Sequence, residues 1–158
     1  MPRNTYRGRA KALDRMGNFD LAVEDWDEVV KLVLPQEPQF YRAERVYCML
    51  HAGMTTKAVS EVNTLVKRTD WDADWWCIFA SVYAVVNNKV VEKKHEYANS
   101  VMEMLQKGVK TGYNNAANLA RDNFFNPLRD RDDFKMLVAG LEAKYPPKWE
   151  VLPSPRKE

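Results

Sequence analysis

Hydrophobic positions recur along the chain at helical spacing, in paired segments separated by turn residues. A first apolar stripe runs from Tyr6 to Met16 and ends at Gly17, and a second one continues to Val33. Stripes of this period predict amphipathic helices, and a glycine directly after a stripe predicts the end of a helix. Pro35 and Pro38 then close the segment, because proline does not fit a helix interior. We therefore predict a helical hairpin over about residues 3–36.

The same pattern returns twice. A second hairpin is predicted over about 37–70 and a third over about 72–112, the latter with an insertion near 87–94. Tyr6 and Phe40 are 34 positions apart, whereas Gly17 and Gly53 are 36 apart, so we predict a loop two residues longer in the second hairpin. Internal repetition at this period is typical of a helical solenoid.

The chain after Gly112 departs from the repeat. A short helix is predicted near 115–120, Pro127 interrupts the chain, and a last helix is predicted over about 131–144. An exposed solenoid end needs a cover, so we interpret residues 113–144 as a closing module. The proline-rich tail, 145–158, is expected to be extended. The predicted fold is all-α, a right-handed α-α superhelix of about three hairpins with C-terminal capping helices.

The spacing of aromatic, small and glycine residues resembles the tetratricopeptide repeat (TPR). The positions that carry this resemblance are Tyr6, Ala10, Leu13, Gly17, Ala22, Trp26, Phe40, Tyr47, Gly53, Ala58, Trp76, Ala80, Tyr83 and Ala98. The run from 97 to 138 is similar to the closing module of bacterial TPR arrays, especially those that follow planctomycete Ser/Thr kinase domains. Its matching positions are Ala98, Leu105, Gly112, Tyr113, Leu119, Asp122, Pro127, Leu128, Arg129 and Phe134.

The resemblance implies a binding groove, because the first helix of each TPR hairpin lines the concave side of the array. The groove positions predicted for the first two hairpins are Arg7, Lys11, Tyr41, Arg42 and Arg45, and the third hairpin would add Asp74, Cys77 and Ser81. Four basic side chains and one aromatic ring suit an acidic peptide or a terminal carboxylate. A solvated basic face without a specific ligand is the alternative.

A second candidate surface lies in the segment TDWDADWW, residues 69–76. One of Trp75 and Trp76 belongs to the apolar stripe, which would leave Trp71 and the other tryptophan exposed. Exposed tryptophan is a frequent hot-spot residue in protein interfaces, so we predict a partner-binding patch at Trp71 and Trp75. Packing of these rings between neighbouring hairpins is the alternative.

Composition and motifs add mostly exclusions. The 24 basic and 22 acidic side chains give a net charge of +2, which provides no strong field towards nucleic acid or an anionic membrane. Cys48 and His51 share one helix face, but Cys77 or His95 from a neighbouring helix would be needed to complete a metal site, so we predict no metal and no cofactor. If Met1 is the native start, the lack of a signal sequence predicts a cytoplasmic protein.

We find no residue pattern that supports catalysis and predict that the chain is not an enzyme. The expected function is that of a protein–protein interaction scaffold or adaptor that binds a protein or acidic peptide through its helical groove. A structural subunit, held permanently in a larger assembly by the tryptophan patch and the tail, is the alternative function.

Overall fold

The computed structural model describes residues 2–33 and 39–146, and all regular structure in this part of the chain is helical. The described residues form eight α-helices: α1 Arg3–Arg15, α2 Phe19–Lys31, α3 Phe40–His51, α4 Thr55–Leu65, α5 Ala73–Lys89, α6 Lys94–Lys110, α7 Ala116–Arg121 and α8 Asp132–Lys144. Two 3-10 turns occupy Val91–Lys93 and Asn123–Leu128. The prediction for Pro35 and Pro38, and the predicted tail beyond Pro146, lie outside the described residues.

Helices that are consecutive in the chain pack against each other from α1 to α6, and α3 also contacts α5. The 3-10 turn Asn123–Leu128 packs on α5, while α8 packs on α7 and α6. Large side chains such as Trp26, Trp76, Phe79 and Phe125 are fully buried in this core. Within the described residues, none of the helices combines the length and the apolar character needed to cross a membrane.

The first two hairpins turn through the same motif. Gly17 and Gly53 both have positive φ, and the amide after each glycine donates to a carbonyl five residues earlier, in a Schellman arrangement. Helices α1 and α3 end 36 positions apart, and both hairpin loops contain three residues. The predicted 34-residue offset of the first helices, and with it the longer second loop, is therefore wrong.

An ion pair between the two helices of a hairpin recurs with the same period of 36. Arg9 Nε donates to Asp25 Oδ2 over 2.6 Å, and Arg45 Nη2 donates to Glu61 Oε2 over 2.7 Å. The carboxylates are almost buried, with Asp25 3% and Glu61 9% exposed. A buried carboxylate requires a partner of this kind, because an unpaired charge is costly away from water.

The third helix pair, α5 and α6, does not have the predicted insertion between its helices. Helix α5 continues through Asn87 to Lys89, and after one 3-10 turn α6 begins at Lys94. No glycine or proline occurs between Ser81 and Lys94, so nothing in this stretch ends the helix early.

The closing segment, residues 111–144 after α6, has its elements in the predicted order. Helix α7 is followed by a 3-10 turn that contains Pro127 and then by α8. The Arg129 guanidinium donates to the Asp122 carbonyl oxygen over 3.3 Å and so ties the end of α7 to the residues before the last helix. The rings of Phe125 and Phe134 lie 6.1 Å apart and join the turn to α8.

Candidate functional site

A cleft of about 690 Å³ lies between α3, α5 and the segment that follows α6. Helix α3 contributes Tyr47, Leu50 and His51; α5 contributes Ala73, Asp74, Cys77, Ile78 and Ser81; the closing segment contributes Gly112, Tyr113, Asn114, Asn115, Asn118, Asp122, Phe124 and Phe125. On α3 and α5 the lining is mostly aliphatic and aromatic, with Asp74 and Ser81 as polar groups, and the closing segment forms a side with three asparagine amides beside its aromatic rings.

The close approach of α6 to α5 positions the amide-rich side. A Cβ atom added at Gly108 would lie 3.3 Å from both the Ala73 carbonyl oxygen and the Cys77 Sγ atom, so only glycine leaves the present spacing undisturbed. Helix α6 then ends at Gly112, whose φ is 110°, and the Tyr113 amide donates back to the Gly108 carbonyl over 2.9 Å. This turn directs the chain across the end of α5 and places Tyr113 in the cleft.

Hydrogen bonds fix the polar groups of the closing segment. Asn118 Nδ2 donates to the Tyr113 hydroxyl over 3.1 Å, and the backbone N–H of Asn118 donates to Asn115 Oδ1 over 3.0 Å. The Phe124 amide donates to Asp122 Oδ1 over 2.9 Å. Burial raises the pKa of Tyr113 to about 12, so its hydroxyl keeps its proton at neutral pH.

An aromatic cluster around His51 joins α2, α3 and the closing segment. The imidazole stacks on Phe19 with a centroid distance of 4.8 Å, and it lies 4.5 Å from the Tyr47 ring and 5.7 Å from the Phe124 ring. Desolvation among its neighbours lowers the pKa of His51, although the Asp14 and Asp122 carboxylates act in the opposite direction. The ring is therefore mostly neutral at neutral pH and extends the aromatic side of the cleft.

The cleft offers no activated nucleophile among the groups described. Burial raises the pKa of the Cys77 thiol to about 12, whereas a reactive cysteine needs a lowered pKa. The Ser81 hydroxyl donates to the Cys77 carbonyl over 3.0 Å, as serines inside helices often do. In the described part of the chain, no three His, Cys, Asp or Glu side chains are arranged to hold a metal ion.

The residues predicted for the groove separate into three groups. Arg7 and Tyr41 lie together, with the guanidinium 5.9 Å from the ring centroid, and Lys11 Nζ lies 4.0 Å from Glu44 Oε1. These three residues occupy the α1–α3 surface and do not line the cleft, whereas Asp74, Cys77 and Ser81 of the third hairpin do.

The other two predicted groove residues are engaged with acidic side chains of α2 and α4. Arg45 bonds both Asp27, over 2.8 Å, and Glu61, and Arg42 also pairs with Glu61. Neither arginine lines the cleft, and the Arg45 side chain is only 14% exposed. The structure therefore shows both guanidinium groups already paired with carboxylates of α2 and α4.

The tryptophan patch is mostly internal. Trp71 is buried, and its Nε1 donates to the Leu65 carbonyl over 2.9 Å, so the packing alternative holds for this residue. Trp75 is half-buried and meets the Phe40 ring edge-on at 5.6 Å. The expectation of exposure was wrong for Trp71 because an indole can pack its ring and still satisfy its N–H on a helix-end carbonyl.

Several residues of the cleft were not predicted from the sequence, notably Tyr47, Asn118 and Phe124. One signal was available, because three asparagines follow Tyr113 within five positions and asparagine side chains both donate and accept hydrogen bonds. The α3 residues could have been found from the repeat, since Tyr47 lies 36 positions after Lys11.

Comparison with known proteins gives no further assignment: no protein-family model matches the chain, no curated protein does, and neither does any solved structure.

Proposed function

We propose that the chain is a non-catalytic interaction scaffold of the TPR-like superhelical type, whose cleft binds an extended peptide segment of a partner protein. The packing of each helix on its chain neighbour supports a solenoid, because hairpins in such arrays mainly contact the hairpins beside them. The 36-residue recurrence of the glycine turn and of the ion pair supports the same architecture.

The observation that carries the binding proposal is the composition of the cleft. Aromatic and aliphatic groups on α3 and α5 can receive apolar side chains, and asparagine amides of the closing segment line the same cleft. Asn118 uses its amide nitrogen on Tyr113, so its carbonyl oxygen keeps its capacity to accept from a peptide backbone. Such pairing of apolar packing with a few placed polar groups is typical of ligand clefts.

Peptide selection against the full-length chain tests the proposal. Wild type would be compared with Asn118→Trp, which introduces an indole into the cleft, and with Ala117→Trp, a matched control at an exposed position of the same helix that does not line it. We expect the peptides enriched on wild type and on Ala117→Trp to bind Asn118→Trp at least about tenfold more weakly.

Circular dichroism would first establish that both variants keep the helicity of wild type. Equal affinity of the selected peptides for all three proteins would show that the cleft does not bind them and would refute the proposal. The alternative function, a permanently bound structural subunit, gains no support from the described residues. Trp71 is buried, so the tryptophan patch that would hold such a subunit in an assembly is smaller than predicted.

A further inference from the structure

The cleft is acidic although the chain as a whole has a net charge of +2. Asp74 on α5 and Asp122, directly before the 3-10 turn Asn123–Leu128, both line the cleft. Among the described residues, no lysine or arginine lines it. His51, the remaining ionisable base of the lining, is mostly neutral near pH 7 because desolvation lowers its pKa. The Arg129 guanidinium, which donates to the Asp122 carbonyl oxygen, does not line the cleft, so the charge that an occupant meets on the cleft surface is negative.

Both carboxylates keep oxygen atoms available to a ligand. Asp74 is exposed and forms no hydrogen bond or ion pair with the part of the chain that the structure describes. Asp122 uses Oδ1 to accept from the Phe124 amide, and among the described residues its Oδ2 has no hydrogen-bond partner. The two side chains can thus accept charge-assisted hydrogen bonds without breaking an existing contact.

The two carboxylates act on the same part of the cleft. The negative charges of Asp74 and Asp122 each contribute, after burial, to the raised pKa of the Tyr113 hydroxyl, so both lie near that group. Ile78 and Phe124 line the same cleft and provide an apolar surface beside the charges. A ligand that matches this arrangement combines a cation with an adjacent apolar side chain.

We propose that the cleft selects a peptide segment in which lysine or arginine neighbours a large apolar residue, with the cation held by Asp74 and Asp122 and the apolar side chain packed against Ile78 and Phe124. This inference rests on the proposed function and specifies its ligand. It differs from the expectation of an acidic peptide, which relied in part on Arg42 and Arg45, and these two arginines are paired with Asp27 and Glu61.

Three synthetic peptide pools, identical except at one position, test the selectivity on the full-length chain. Each pool carries a fixed leucine or phenylalanine beside a residue that is lysine or arginine, aspartate or glutamate, or glutamine. Binding would be measured for wild type, for Asp74→Asn/Asp122→Asn, and for Asp20→Asn/Asp130→Asn, which removes two exposed acids that do not line the cleft.

For wild type and the control we expect the cationic pool to bind at least about tenfold more tightly than the acidic pool, as two partly exposed ion pairs allow. Asp74→Asn/Asp122→Asn should lose most of this preference, because asparagine keeps the shape but not the charge. Raising the salt concentration from about 50 to about 500 mM should weaken the cationic pool selectively.

Two results would count against the proposal in different ways. If the acidic or neutral pool binds as tightly as the cationic one and Asn118→Trp still blocks it, the cleft is a peptide site without cation selectivity, and only this inference fails. If no pool binds wild type more tightly than Asn118→Trp, the proposed function fails together with it.

Discussion

At the scale of single residues, the Arg45 guanidinium links the first hairpin to the second. It joins Asp27 of α2 to Glu61 of α4, and Glu61 is almost buried. We expect Arg45→Gln to lower the free energy of unfolding by about 1–3 kcal/mol, because one Glu61 oxygen loses its charged donor in a poorly solvated place. Urea titration followed by circular dichroism would measure the change.

Two further variants make this prediction specific. Arg68→Gln breaks an exposed pair with Asp70 and should leave the unfolding curve almost unchanged. Adding Glu61→Gln to Arg45→Gln should cost less than the sum of the two single changes, because the two residues act as a pair. Additive effects would show that the guanidinium does not stabilise Glu61.

Residues of the first two hairpins also show how much of the structure could be predicted from the sequence. The spacing of apolar positions and the glycines Gly17, Gly53 and Gly112 predicted the helices and turns, since these signals are local. The face of the helix on which each residue lies was harder to predict, because an error of two residues in the repeat offset displaces a position by about 200° around the helix axis. With the 34-residue offset Lys11 corresponds to Arg45, whereas with 36 it corresponds to Tyr47, which lines the cleft. Which side chains meet across α3, α5 and the closing segment depends on tertiary packing that no local pattern encodes.

At the scale of helices, the contact between α5 and α6 depends on the absence of a side chain at Gly108. Alanine there would improve helix propensity, but its Cβ would lie 3.3 Å from the backbone oxygen of Ala73 and would force the helices apart. We expect Gly108→Ala to destabilise the protein by about 1 kcal/mol or more, as overpacking usually does. Thermal denaturation would measure it.

Gly140 provides the matched comparison for this helix contact. It also lies inside an α-helix, but nothing within 4 Å would meet a Cβ atom at this position. Gly140→Ala should therefore stabilise the protein by about 0.5–1 kcal/mol through helix propensity alone. If the two variants shift the melting temperature in the same direction, the close approach of α6 to α5 does not limit stability.

At the scale of the whole molecule, the cluster around His51 connects the second hairpin to the closing segment across the cleft. Packing between chain neighbours accounts for most of the structure, whereas the contact from His51 to Phe124 joins parts that are far apart in sequence. His51 and Phe124 both line the cleft, so this ring contact joins two of its walls.

The lowered pKa of His51 makes the stability of the protein depend on pH in a defined direction. Since the folded state binds a proton at this imidazole less readily than the unfolded chain, the contribution of His51 is fully present above the unfolded pKa of about 6.5. It is lost progressively as the pH falls below that value towards the lower pKa of the folded state.

His51→Phe, which keeps an aromatic ring beside Phe19 and Tyr47, should remove this loss. His95→Phe removes the other histidine, which is exposed, and should preserve it. Urea unfolding of the three proteins between about pH 5 and 8 would provide the comparison. Parallel curves for wild type and His51→Phe would show that the aromatic cluster tolerates the charged imidazole, and that the contact across the cleft does not respond to pH.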